Sequence, residues 1–257
     1  MEHMLVDAGL RMTYLRDPYQ IDELDQDAIL RDLSEGATED LSAARLSHRN
    51  LSDFGHVILA RDSRSAQTMA LLAMRDGSTG QEDFLQLETA FVAPAARGRK
   101  IMNRMVALAL MRVASFGPVP QVVVARTANP VWYRGLRKIS RQFTGAVFFP
   151  DHESPAIRLD SAGLARRLAE QIAPNRRFDT ATATLRGSRT ATGKMRARPT
   201  CDDPHLEALF GRSLRFADQM LAVIDLRAQT EETILADARR VYRARQGARP
   251  QRAAIAP

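Results

Sequence analysis

The chain has 257 residues, 45% hydrophobic and 26% charged, with a formal net charge of +7, enough for one sizeable core and ordinary for a soluble globular protein. No apolar run approaches the ~20 residues of a membrane span, and residues 1–10 lack the basic head and apolar stretch of an export signal, so the cytoplasm is the expected compartment. The single cysteine, Cys201, excludes an internal disulfide framework and a cysteine metal cluster, and no His, Asp and Glu cluster has metal-ligand spacing.

Leu10 to Arg16 alternates as a strand does, and Asp17-Pro18 closes it. From Gln20 to Leu33 the apolar residues Ile21, Leu24, Ala28, Ile29 and Leu33 keep helical spacing, with Gly36 just past the end. Thr38 is a suitable cap for a second short helix to Leu46. Phe54 to Ala60 and Thr68 to Met74 are predicted strands joined by a polar turn, and a loop from Asp76 to Asp83 leads to a third, Phe84 to Val92, ended by Pro94. Short polar turns between successive strands imply an antiparallel meander.

Ala95 to Lys100 forms a tight turn. Ile101, Met105, Leu108 and Met111 then recur at helical spacing, so a helix begins near Gly98 with one face on a sheet. After Gly117 and Pro118, the run Gln121 to Ala125 is apolar throughout, the pattern of a strand covered on both faces, and a helix crossing to it adds a parallel neighbour. Asn129-Pro130 caps and opens another helix, with Val131, Leu136 and Ile139 on its buried side and Trp132 packing. Thr144 to Phe149 is a short strand before Pro150. Ser161 to Ile172 is an amphipathic helix, Phe178 to Leu185 the last core strand, and Arg186 to Pro199 a polar, basic loop. Leu206 to Phe216 is predicted helical, Met220 to Leu226 a strand, Thr230 to Tyr242 a closing helix, and the remainder a frayed tail. Residues 1–185 form the core on this division, with 186–257 an extension packed on it.

The charge is divided unevenly. Residues 1–100 hold 11 Lys+Arg against 17 Asp+Glu, a balance of −6; residues 101–257 hold 26 against 13, a balance of +13. The basic half suits a nucleotide, a nucleic acid, as in an RNA- or ribosome-associated protein, or an acidic partner, or reflects composition alone. Its arginines are scattered and few aromatics lie between them, which argues against a nucleic-acid surface.

A turn that opens a helix presents unpaired amides and the positive end of the helix dipole, and so can hold a phosphate. Gly98 would let an anion approach the backbone, with Arg97, Arg99 and Lys100 beside it; an ordinary turn with solvated basic residues fits the same sequence. Val92-Ala93-Pro94, then Arg97-Gly98, a helix, a buried strand, and Thr127-Ala128-Asn129-Pro130 before an aromatic pair resemble the acyl-CoA-binding core of the GCN5-related N-acetyltransferases over roughly residues 54–149. The resemblance implies a mixed α/β sheet in which the strand before the turn parts from its neighbour to receive the pantetheine arm of acetyl-CoA. Two places depart from the family turn: Ala95 stands where Gln or Arg is usual, and Lys100 where Gly or Ala is.

The resemblance assigns parts to named residues. Phe91 and Val92 would line the arm, with the Val92 amide facing the thioester oxygen. Arg97, Gly98, Arg99, Lys100 and Ile101 would cradle the pyrophosphate, and Asn129 would meet the arm or cap its helix. Glu88, on the face of Ala90 and Val92 by strand alternation, would be the base or a salt-bridged strand glutamate. Tyr133 would protonate the leaving thiolate or pack in the core. The acceptor is an amine of unnamed identity. The early acidic run Asp22, Glu23, Asp25 and Asp27 would greet a cationic acceptor or form a solvated helix face. A homodimer is compatible with the sequence. His56 is expected to be a packed strand histidine before it is a base, and Cys201 has only His205 nearby as a partner for nucleophilic chemistry.

Overall fold

The computed structural model describes residues 2–6, 9–19, 21, 23–35, 51–152, 159–187, 200–215 and 217–244. The helix expected over residues 38–46, most of the basic segment 186–199 and the carboxy-terminal tail lie outside the described residues.

A sheet organises the chain. Its strands are β1 (Glu2–Val6), β2 (Leu10–Arg16), β3 (His56–Asp62), β4 (Thr68–Ser78), β5 (Asp83–Val92), β6 (Val122–Thr127), β7 (Val147–Phe149), β8 (Phe178–Asp179), β9 (Thr184–Leu185) and β10 (Gln219–Asp225). The spatial order is β1-β2-β3-β4-β5-β6-β10-β9-β8, with β7 also paired to β10. The meander from β2 to β5 is antiparallel, as expected, and β5 and β6 run parallel. β1 has no counterpart among the sequence expectations; Gly9, at φ +82°, turns the chain from it into β2.

Helices cover both faces. α1 (Glu23–Ser34) lays Ile29, Leu30 and Leu33 on Val57, Leu59, Leu71 and Ala73 of one face, with Leu51 and Phe54. α2 (Ile101–Val113) lies on the other, against Ile58, Ala70 and Leu72. Because both sides of β3 and β4 are covered, their sequences read as continuous apolar runs. α2 is buried nearly all round, not on the single face expected, because α6 (Glu231–Arg243) covers its outer side. Even Arg104 is buried, its guanidinium donating to the carbonyl of Ala244 at 2.6 Å.

The remaining helices are α3 (Pro130–Ser140), α4 (Leu159–Ile172) and α5 (Pro204–Ser213). On α3, Leu136 and Ile139 are buried as expected, but Val131 is exposed. The stretch taken for the last core strand, Phe178 to Leu185, is a hairpin of two very short strands, β8 and β9. The last core strand is β10, which pairs with β6 from Met220↔Thr127 to Asp225↔Val122. The sheet therefore crosses the expected boundary at 185/186: a strand of the supposed extension sits between β6 and β9, and its all-buried sequence Met220 to Asp225 requires that central place.

At the end of the sheet where β5 begins, Glu82 accepts hydrogen bonds from Thr79 Oγ1 (2.6 Å) and from Arg167 of α4, and pairs with Arg227 (3.2 Å), which also binds Asp160 and Asp225 at 2.8 Å. The cluster ties the β4–β5 loop, α4 and the end of β10. Burial alone would raise the Glu82 pKa, but the bonds from Arg167 and Thr79 and the charges of Arg167 and Arg227 outweigh it and hold the carboxyl below the usual range. A carboxyl depressed in the folded state contributes stability above its unfolded pKa and loses it as pH falls through the folded one. Stability should therefore decline as pH drops below about 4.5. Glu82→Gln should lose about 3 kcal/mol at pH 7 and show a shallower acid decline, both read from urea melts at a series of pH values.

Candidate functional site

The parallel ladder between β5 and β6 is short. It runs only from Phe84↔Val122 to Leu87↔Ala125. On the other side of β5, Met74 lies opposite Leu87 and Ala73 opposite Thr89, so Glu88 is an extra residue, a β-bulge. Such a bulge bends the strand and sharpens its twist. Beyond it β5 keeps β4 as a neighbour, while Arg126 and Thr127 of β6 pair with Leu221 and Met220 of β10. The two parallel strands thus part over Glu88 to Val92, about 17 Å of strand at roughly 3.4 Å per residue.

The direction of the backbone in this gap follows from one hydrogen bond. The Ala93 amide donates to Met69 O at 2.9 Å, toward β4. Alternation then turns the amides of Ala90 and Val92 away from β4, into the gap. The Val92 carbonyl, pointing the same way, accepts from Arg97 Nε at 3.3 Å. Phe91 is the exception among the residues expected to line the arm: its backbone faces β4, and its side chain packs with the α1-side core.

β5 leads directly into the turn. Pro94–Ala96 is a single 3₁₀ turn, Arg97 is extended, Gly98 has φ +79° and Lys100 has φ +54°. A Cβ at Gly98 would meet no atom within 4 Å, so glycine is needed there for its φ, and the space around it is open. The amide of Arg104 makes a long first helical bond, 3.4 Å to Lys100 O, and no side chain caps α2. The amides of Ile101, Met102 and Asn103 come before that first bond, where a helix has no partners for them. Arg97, Gly98 and Lys100 are exposed. Val92, Arg97, Gly98, Arg99, Lys100 and Ile101 are therefore brought together at the mouth of the gap.

Three other predicted residues sit differently. The bulge breaks the alternation, so Glu88 does not share a face with Ala90 and Val92, which pack toward the α2-side core. Its carboxylate accepts from Gln86 Nε2 at 3.0 Å and faces Arg126 Nη2 at 3.6 Å and Arg75 Nε at 3.9 Å. The salt-bridged alternative is the one observed. Tyr133 is fully buried, its ring against Phe148 and Phe210 and its hydroxyl donating to the carbonyl of Pro150. Burial, with the charge of Asp151, raises its pKa. Since Phe148 lies on β7, beyond β10, the phenol points into the core and away from the parted strands. Asn129 is a helix cap: its Oδ1 accepts from Val131 N at 2.9 Å and Trp132 N at 3.3 Å.

Arg126 and Arg75, the partners of Glu88, were not anticipated. An arginine among the apolar residues of β6 was a visible signal, because an unpaired charge in a half-buried strand is costly. His56 is buried between Tyr14 Oη and Asp76 Oδ2, 2.7 Å from each, a packed histidine at the end of the sheet away from the turn. Burial pushes the Cys201 thiol up, and its Sγ contacts Asp203 O at 3.5 Å, which is no environment for a thiolate. Among the described residues no group of His, Cys, Asp and Glu could hold a metal ion, and no helix is long and apolar enough to cross a membrane.

No protein-family model and no curated protein matches the sequence. Among solved structures, the chain is similar to the GNAT family N-acetyltransferase YhbS from Escherichia coli in complex with CoA, at 20% identity over 51% of this chain and 71% of that one, TM-score 0.36. It is similar to Escherichia coli ElaA at 12% identity, 55% and 90% coverage and TM-score 0.40. A third likeness is to the NatC complex bound to Gag peptide and CoA, at 12% identity, 50% and 82% coverage and TM-score 0.38.

The burial of Tyr133 yields a direct test. Tyr133→Phe leaves the Pro150 carbonyl without its buried donor and should cost about 1–3 kcal/mol, measured as a shift in the urea midpoint with an unchanged m-value.

Proposed function

We propose that this chain is an acyl-CoA-dependent N-acyltransferase, with acetyl-CoA the simplest donor and an amine the acceptor. The observation that carries the proposal is the parted end of β5 running straight into an exposed glycine turn and the uncapped start of α2. A slot lined by inward amides and ending at a helix N-terminus fits a ligand with an extended polar arm and a diphosphate.

Beyond its own chain neighbours, no atom lies within 4 Å of where a Cβ at Gly98 would stand, which leaves room for a phosphate against that backbone. The backbone amides from Gly98 to Ile101 would hold the diphosphate, with Arg97, Arg99 and Lys100 supplying charge. When bound, acyl-CoA supplies a thioester carbonyl open to attack by an amine. The Val92 amide, turned into the gap, donates to that carbonyl oxygen, where it stabilises developing negative charge. Glu88, at the fork of the strands, takes the proton of the attacking amine, and Arg75 and Arg126 fix the position of its carboxylate. Tyr133 is packed in the core, so the thiolate released as the C–S bond breaks would take its proton from solvent.

A second proposal is a module that holds CoA without turning it over. The ion-paired state of Glu88 and the burial of Tyr133 are the observations that support it.

Calorimetry and kinetics separate the two. Wild type should bind acetyl-CoA saturably, and Gly98→Glu, which sets a carboxylate against the diphosphate at a strained φ, should bind at least about tenfold more weakly; absence of binding by wild type would remove both proposals. For a base, Glu88→Gln should lower kcat about 10²-fold or more. If the variant loses only stability, or if no amine in a broad panel is acylated, the CoA-holding module stands.

A further inference from the structure

A cavity of about 590 Å³ lies outside the proposed acyl-CoA slot, lined by Arg177, Asp179, Arg186, Arg212, Arg215 and Asp218, with Gly187 and Ser213. It sits where the β8–β9 hairpin, the end of α5 and the start of β10 converge. Its two carboxylates are already fully engaged. Arg186 reaches Asp218 at 2.8 Å and Asp179 at 3.0 Å, and donates to the Ser213 carbonyl at 3.0 Å. Asp218 also accepts from the amides of Gly187 (2.9 Å) and Arg215 (3.0 Å).

Those bonds leave a charge imbalance. Burial would raise the Asp218 pKa, but the two amides and Arg186 outweigh it and lower it, so the carboxylate stays charged and committed to its own partners. The guanidinium groups of Arg177, Arg212 and Arg215 have no ion-pair partner among the described residues, and all three side chains are exposed along the cavity. Three like charges around one concavity repel each other and focus a positive potential into it. Guanidinium forks match phosphate oxygens in pairs. The volume is that of a pocket for a small organic molecule, not for a lone ion.

We propose that this cavity binds a small phosphorylated molecule, a phosphomonoester or organic diphosphate, through Arg177, Arg212 and Arg215, with the Arg186–Asp179–Asp218 cluster as its rigid wall. The site is independent of the acyl-CoA slot: β6 and β10 lie between the parted end of β5 and β9.

Inorganic pyrophosphate is the probe, titrated calorimetrically into the full chain at 0.15 M salt. Because the Gly98 turn could also bind it, the decisive titration uses the Gly98→Glu variant, in which one saturable site should remain. Arg212→Ala/Arg215→Ala in that background should weaken it at least tenfold. Arg11→Ala/Arg64→Ala, which removes two exposed arginines on β2 and in the β3–β4 turn, should leave it within twofold, and melting curves verify that each variant folds. The assignment is overturned if Gly98→Glu shows no saturable site, or if the control double variant loses as much as the pocket variant. It is also overturned if saturating CoA abolishes the site in wild type and in Gly98→Glu alike, since the cavity would then belong to the CoA slot. Displacement of pyrophosphate by a short RNA with a steep salt dependence would likewise replace the small ligand with a nucleic acid.

Discussion

The extra residue at position 88 is the constraint on which the site depends. A parallel pair buried under helices on both faces has every reason to continue, because each ladder bond broken inside the protein leaves amide groups to be satisfied elsewhere. The pair stops at Leu87↔Ala125 because β5 carries one residue too many against β4, and the twist that the bulge adds carries the strand away from β6. β6 is held on its course by β10, which follows it to Thr127. One strand bends, the other is anchored, and the wedge between them contains the only stretch of central β5 whose inward amides have no strand to meet. The substrate-binding reading rests on that wedge.

The turn after β5 is held from a distance. Gly98 and Lys100 both take left-handed backbone, which glycine accepts freely and lysine at a cost on the order of 1 kcal/mol. What fixes Lys100 there is α2, whose first residue Ile101 is already buried and whose body is enclosed by the sheet and α6. A helix so enclosed cannot slide to relieve one strained residue at its start. Lys100 thus takes a backbone that glycine would take freely, and adds to it a charged, exposed side chain. The same enclosure explains why α2 carries so few polar residues and why its one buried cation, Arg104, reaches the backbone carbonyl of Ala244.

Much of the order of elements was legible because it is written in local patterns. The apolar run Gln121 to Ala125 marked a strand covered on both faces, Asn129-Pro130 marked a capped helix start, and the strand–turn–helix from Phe84 to Met111 was plain. Tertiary facts were not. Nothing local marks Glu88 as a bulge, since its neighbours alternate acceptably on either side of it; only the pairing of β4 reveals the extra residue, and with it the change of face. Tyr133 followed a family habit in the sequence, yet Phe148 and Phe210, which enclose it, come from segments 15 and 77 residues downstream. The alternating Thr and Ala from Phe178 to Leu185 resembled a strand, but small side chains give little to bury, and Met220 to Asp225, apolar at almost every position, took the central place instead.

The basic character of the chain beyond residue 100 is more specific than its net charge of +13 implies. Arg167, Arg186, Arg227 and Arg240 are each bound to a carboxylate, and three of these bonds join elements distant in sequence, so this part of the arginine complement serves the fold. Arg177, Arg212 and Arg215 of the β8–β9 cavity, and Arg97 and Lys100 at the Gly98 turn, are placed otherwise, exposed to solvent. β5 and β6 are parallel, and Met220 of β10 stands opposite Thr127, so both groups lie at the same end of the sheet, where β5 and β6 finish and β10 begins. Glu82, Asp160 and Asp225 concentrate at the opposite end, already neutralised by Arg167 and Arg227. Among the described residues Arg177, Arg212 and Arg215 stand at the end where β10 begins without an ion pair, and their charge raises the local concentration of anions there, an effect that weakens with added salt. The arginines that look scattered in the sequence, where their spacing argued against nucleic acid, are sorted by the fold into pairs that join distant elements and an exposed group around one cavity.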